Sequence, residues 1–183
     1  MNIVDGWLAE AKKVPSPNFN QRPLNATVNL LVIHNISLPP EQFDNSYIEQ
    51  FFQNQLPTGD HPYFETLIGV EVSSHFLIKR DGKLIQFVSC NDRAWHAGKS
   101  SFCGVENCND FSIGIELEGT DTQAYTEAQY ASLAELTQSI QVSYPEVTSD
   151  RIVGHCDIAP DRKTDPGESF DWQYYRKCLT RTA

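Results

Sequence analysis

Two kinds of hydrophobic pattern place most of this chain's elements. Leu30-Leu31-Val32-Ile33-His34 is a continuous apolar run with a polar end. It predicts a central strand buried on both faces, with His34 at its exit. Phe111, Ile113, Ile115 and Leu117 alternate with Ser112, Gly114, Glu116 and Glu118, which predicts a strand with one core face. The other face begins with small residues and ends in two carboxylates, and Gly114 leaves room for something to approach beside Glu116. Residues 75–80 and 83–88 flank Asp81-Gly82, the signal of a hairpin with a type I′ turn.

Helical spacing appears in three places. Tyr47, Ile48, Phe51 and Phe52 form one stripe and predict a helix over 46–53. Thr126-Glu127-Ala128-Gln129 is a capping box, continued by Tyr130, Leu133, Leu136, Thr137 and Ile140 and ended before Pro145. A last helix is expected over 171–179. Ile152-Val153 is a short strand that delivers Gly154-His155. Residues 1–29, with scattered prolines, read as an arm packed on the rest, and 54–66 and 91–110 read as loops. Strands and helices are mixed, which predicts a single α/β (α+β) domain over residues 1–183, a mixed central sheet flanked by helices.

Composition narrows the partners. Lys and Arg number 14 against 24 Asp and Glu, a net charge of −10, which argues against nucleic acid and anionic membrane surfaces. The first residues lack a signal-peptide apolar run, and no stretch reaches membrane-spanning length, so a cytoplasmic location is expected. Five cysteines without Cys-x-x-Cys pairs suit free thiols in a reducing compartment.

The densest chemistry lies between Gly154 and Gly167. Pro166 favours an extended Asp165, so Lys163 and Asp165 point the same way while Thr164 points opposite. His34 and His155 each follow an apolar strand. If those strands are parallel neighbours, both imidazoles reach one sheet edge, where Asp165 can join them. Two imidazoles and a carboxylate suit Zn²⁺ with a fourth position for water. Glu116 could then take a proton from water, and Lys163 could stabilise an oxyanion. Each residue also has a bland alternative. His34 could be a satisfied core histidine, and Lys163–Asp165 an exposed ion pair. Parity cannot separate Glu116 from Glu118, and His61, His75 and His96 are rival ligands. Cys156 is set aside because adjacent strand residues point apart.

The segments Leu31–Pro39 in sequence, Arg93-Ala94-Trp95-His96-Ala97-Gly98, 109–121 and Gly154-His155 with Lys163-Thr164-Asp165-Pro166-Gly167 resemble the family 2 N-acetylmuramoyl-L-alanine amidases, in particular their cytosolic members acting on 1,6-anhydro-muropeptides. The likeness runs from Gly6-Trp7 to Asp171-Trp172. It implies a fold shared with peptidoglycan recognition proteins and phage T7 lysozyme. It further implies zinc on His34, His155 and Asp165, Glu116 as general base and Lys163 as transition-state stabiliser. The implied reaction is cleavage of the amide between the lactyl group of 1,6-anhydro-N-acetylmuramic acid and L-alanine, by a monomer acting on a small soluble muropeptide. Asn35, Trp95 and His96 are then expected along the sugar and lactyl side of the groove, and Arg162 near a stem-peptide carboxylate. Glu71 departs from the family pattern, which has a basic residue there. The rival class is a non-catalytic muropeptide-binding module of the peptidoglycan recognition type.

Overall fold

The computed structural model describes residues 1–181. In chain order its strands are β1 (Ile3–Val4), β2 (Trp7–Leu8), β3 (Lys12–Lys13), β4 (Phe19–Gln21), β5 (Leu30–Ile36), β6 (Phe76–Ile78), β7 (Leu84–Gln86), β8 (Asp92–Ala94), β9 (Ser101–Phe102), β10 (Val105–Glu106), β11 (Ser112–Glu118) and β12 (Ile152–Gly154). Its α-helices are α1 (Tyr47–Phe52), α2 (Pro62–Glu65), α3 (Glu127–Ser143), α4 (His155–Ile158) and α5 (Trp172–Arg181). Six strands form the main sheet in the order β12-β5-β11-β6-β7-β3. β12, β5, β11 and β6 are mutually parallel, β7 returns antiparallel to β6, and β3 pairs with β7 in parallel. The sheet is therefore mixed, as expected, and the first residues of the chain supply its outermost strand.

The two sheet faces are covered differently. Leu31 and Ile33 of β5 and Ile113, Ile115 and Leu117 of β11 share a core cluster with Leu133, Leu136 and Ile140 of α3 and Tyr175 of α5. Burying each such aliphatic side chain contributes roughly 1.5–3 kcal/mol. On the opposite face, Leu30 and Val32 pack with Ala97, Cys108 and Ile158. Further along, Leu77 and Ile85 pack with Ile48, Phe51 and Phe52 of α1. Between these two apolar patches the sheet presents His34 and the small and acidic residues of β11. All seven residues of β11 are buried, and Glu116 reaches open space only where it lines a groove beside His34. Parallel neighbours pair with both edges of this strand.

Local signals hold for α3, while the hairpin turn and the expected loops 54–66 and 91–110, which contain α2 and β8 to β10, are corrected. Thr126 Oγ1 accepts from the Gln129 N–H and Gln129 Oε1 from the Thr126 N–H, both at 3.1 Å, so α3 opens on the expected box. The hairpin register pairs Ile78 with Leu84, and the Lys79 N–H donates to Lys83 O at 2.9 Å. That encloses three residues, Arg80 to Gly82, instead of the two of a type I′ turn. Only Gly82 of these has positive φ, +83°, as in a turn followed by a glycine bulge. The expected loop over 54–66 includes α2, which His61 caps by accepting from the Tyr63 N–H. Cys90, Cys103, Cys108 and Cys156 are free thiols, and no helix of the described residues is long and apolar enough to cross a membrane.

Candidate metal centre

Strand register alone sets one row of side chains. β5 and β11 pair with Glu116 opposite His34. β12 pairs with β5 so that Gly154 lies opposite Ile33, and the next residue, His155, falls level with His34. Paired residues share a face, so an acid and two imidazoles stand side by side near the C-terminal edge of parallel strands. The loop after α4 then brings back Asp165, whose carbonyl accepts from the Cys156 N–H at 3.0 Å.

The ligand-type atoms converge. His34 Nδ1 lies 3.0 Å from His155 Nδ1, and each lies 3.1 Å from Asp165 Oδ2. The three residues form a group able to hold a metal ion. Each imidazole uses its other nitrogen outward. His155 Nε2 lies 3.1 Å from the Ala97 carbonyl, to which it donates, and His34 Nε2 lies 2.9 Å from His96 Nδ1. Burial lowers His34 to about 4, so its ring is neutral near pH 7. Neutral imidazole nitrogens and a carboxylate oxygen packed this closely repel unless a proton or cation lies between them, and the donor set is one that Zn²⁺ accepts. Burial works against the charge of Asp165, but the facing His155 and His34 rings outweigh it and hold the carboxyl well below the usual range.

Glu116 completes the centre. Its Oε2 is buried and has no hydrogen-bond partner among the described residues. Burial first, and the Asp165 charge second, push its carboxyl well above the usual range, with Lys163 opposing. Glu118, two residues on, is fully occupied. Its Oε1 accepts from Lys79 Nζ at 2.8 Å and its Oε2 from the Arg80 N–H at 3.1 Å. His34, Glu116, His155, Lys163 and Asp165 line one groove of about 420 Å³. The Lys163–Asp165 ion pair is not formed, since Asp165 turns to the imidazoles.

Residues 24–168 match a family described as N-acetylmuramoyl-L-alanine amidase. The chain belongs to that family. It is 55% identical over 174 residues to the 1,6-anhydro-N-acetylmuramyl-L-alanine amidase AmpD of Haemophilus influenzae, covering 95% of each chain. It superposes on a crystal structure of a selenomethionine AmpD derivative with TM-score 0.95 and 52% identity, covering 98% of this chain and 99% of that one. A structure of the amidase AmiD from E. coli with anhydro-N-acetylmuramic acid-L-Ala-D-γ-Glu-L-Lys matches with TM-score 0.61 and 30% identity, over 86% of this chain and 60% of that one.

In this amidase the other expected site residues are placed as follows. Trp95 lines the groove and donates from Nε1 to Asn20 Oδ1 at 2.8 Å. Asn35 reaches the groove, but its amide donates to Asp121 Oδ1 at 2.8 Å and to the Pro166 carbonyl at 3.1 Å. Arg162 Nη2 donates to the Ala97 and Lys99 carbonyls at 2.8 and 2.9 Å. His96 stands behind His34 with Nε2 3.0 Å from Ser112 Oγ. Glu71 is exposed, and its neighbours Val70 and Val72 line the groove. Of the rival ligands, His75 is consumed by the Gly114 N–H and the Asp92 carbonyl, and His61 caps α2. Cys156 lies in the first turn of α4, not on a strand, so the strand rationale for setting it aside does not apply.

Two supporting residues escaped the sequence reading. Asp121 accepts from Thr164 Oγ1 at 2.5 Å as well as from Asn35, tying down the residue between Lys163 and Asp165. Tyr125 donates to the Pro166 carbonyl at 2.7 Å. Asp121 closes the 109–121 segment that carries the family likeness, and no signal in the sequence pointed to Tyr125.

Proposed function

We propose that this amidase hydrolyses the amide between the lactyl group of 1,6-anhydro-N-acetylmuramic acid and the L-alanine of the stem peptide. His34, His155 and Asp165 would hold Zn²⁺. When bound, zinc supplies a Lewis acid that polarises a carbonyl and acidifies water. The observation that carries this is the meeting of His34 Nδ1, His155 Nδ1 and Asp165 Oδ2 beside a buried Glu116 oxygen with no partner.

The chain's own groups divide the work. Glu116, with its raised proton affinity, accepts a proton from the attacking water and returns it to the leaving amine. Lys163 sets its ammonium in the same groove and stabilises the negative charge that grows on the carbonyl oxygen. The apolar wall from Phe51, Leu67 and Val70 keeps competing water away. Asn35 and Trp95 contact the sugar and lactyl side, and Arg162 a peptide carboxylate. The family assignment and the substrate carried by AmiD support the substrate class. We place the protein in the cytoplasm as a single-domain monomer with an N-terminal arm.

The test is release of tripeptide from anhydro-muramyl-tripeptide by purified protein, with the reduced-muramyl peptide as comparison. Chelation is expected to abolish release and added zinc to restore it. Undiminished cleavage by fully metal-free protein would overturn the zinc mechanism. Tight binding without release would point to a non-catalytic recognition module.

A further inference from the structure

We infer that His96 is a positioning residue that fixes the tautomer of His34, through a relay that ends on Ser112. This rests on the metal reading above. His34 Nδ1 faces the candidate ligand cluster, so a metal-holding His34 must carry its proton on Nε2. That nitrogen lies 2.9 Å from His96 Nδ1, and His96 Nε2 lies 3.0 Å from Ser112 Oγ. The proton order is then His34 Nε2–H to His96 Nδ1, and His96 Nε2–H to the serine oxygen. Outer-shell partners of this kind orient a metal-binding imidazole and raise its basicity.

The surroundings are shaped to the ring. A Cβ on Gly114 would sit 2.6 Å from His96 Cγ and Nδ1, so any larger residue there would displace the imidazole. The small residues of β11 thus make room for a protein side chain, not for a substrate. The backbone is anchored as well: the N–H groups of His96 and Ala97 donate to Asn109 Oδ1 at 3.1 and 2.8 Å. The Ala97 carbonyl accepts from His155 Nε2 at 3.1 Å. One dipeptide therefore orients both candidate ligand histidines, by a side chain for His34 and a carbonyl for His155.

The test compares zinc affinity, by chelator competition, in wild type, His96→Leu, His96→Asn and Ser112→Ala. His96→Leu strands the His34 Nε2–H and is expected to weaken zinc by about 10- to 100-fold. Asparagine places an amide oxygen near the position of Nδ1 and should recover most of that loss. Ser112→Ala should lose less than His96→Leu. Zinc affinity unchanged in His96→Leu, with only KM raised, would make His96 a substrate contact and overturn the inference. Should the leucine variant not fold, ¹⁵N-histidine spectra of zinc-loaded wild type decide: His34 protonated on Nε2 supports the relay, and His34 protonated on Nδ1 overturns it. A wild type that takes up no zinc would end the metal reading, and this inference with it, whereas normal uptake with an indifferent His96 ends the inference alone.

Discussion

Glu116 and Glu118 sit two residues apart on one face of one strand, both buried, and their surroundings treat them in opposite ways. Glu118 is fully inaccessible and meets Lys79 Nζ and two backbone N–H groups, those of Asp44 and Arg80. Glu116 keeps a buried oxygen with no partner and a carboxyl that resists ionisation. A saturated buried carboxylate contributes to holding the hairpin and the loop before α1 in place. A buried carboxyl that lacks partners is costly to the fold, and such unmet demand is where chemistry is found.

Substitutions can break this contrast. Glu116→Ala should cut turnover by about 10²-fold or more while zinc content and thermal stability stay near wild type; near-normal turnover would place the proton transfer elsewhere. Glu118→Ala should strip the half-buried Lys79 of its nearest carboxylate, leaving it Glu49 Oε2 at 4.0 Å and the Asn45 carbonyl, strand the Asp44 and Arg80 N–H groups, and cost roughly 1–3 kcal/mol in urea unfolding, with residual turnover per folded molecule largely kept. A loss below about 1 kcal/mol would show that the ion pair is not what holds this region.

Proton linkage sharpens it further. Glu116 is raised above its ordinary value of 4.5. Above pH 4.5 the unfolded chain therefore binds fewer protons here than the folded one, and this group costs stability as pH rises. Metal-free Glu116→Gln should be more stable than metal-free wild type at pH 7, by about 1.4 kcal/mol for each pH unit of displacement. The gap should close near pH 4. A gap that is constant with pH would refute the burial of an ionisable Glu116. The smallest effect is expected from Lys79→Met with Glu118→Leu, which removes both charges and should cost less than Glu118→Ala, the remaining loss coming from the stranded Asp44 and Arg80 N–H groups.

Much of the fold was legible because its signals are local. The Thr126–Gln129 box, the β5 run and the β11 alternation each act within one element. Local signals failed where distant parts meet. The Asp81-Gly82 turn took a third residue because the pairing of β6 with β7 sets the register. Gly114 promised space, and the His96 ring occupies it. His96 itself gave no sign of its partner, since nothing in the sequence states that it lies between His34 and Ser112.

The sequence by itself determined which faces are apolar, where α3 begins, and that two histidines and an aspartate follow strand ends or turns. Only the tertiary structure decided that they meet, because convergence depends on the parallel registers of β12, β5 and β11. It also decided which glutamate is left unpartnered. Parity is blind to residues two apart, and the choice fell to Lys79 and Arg80 at the end of β6, which claim Glu118 and leave Glu116 free.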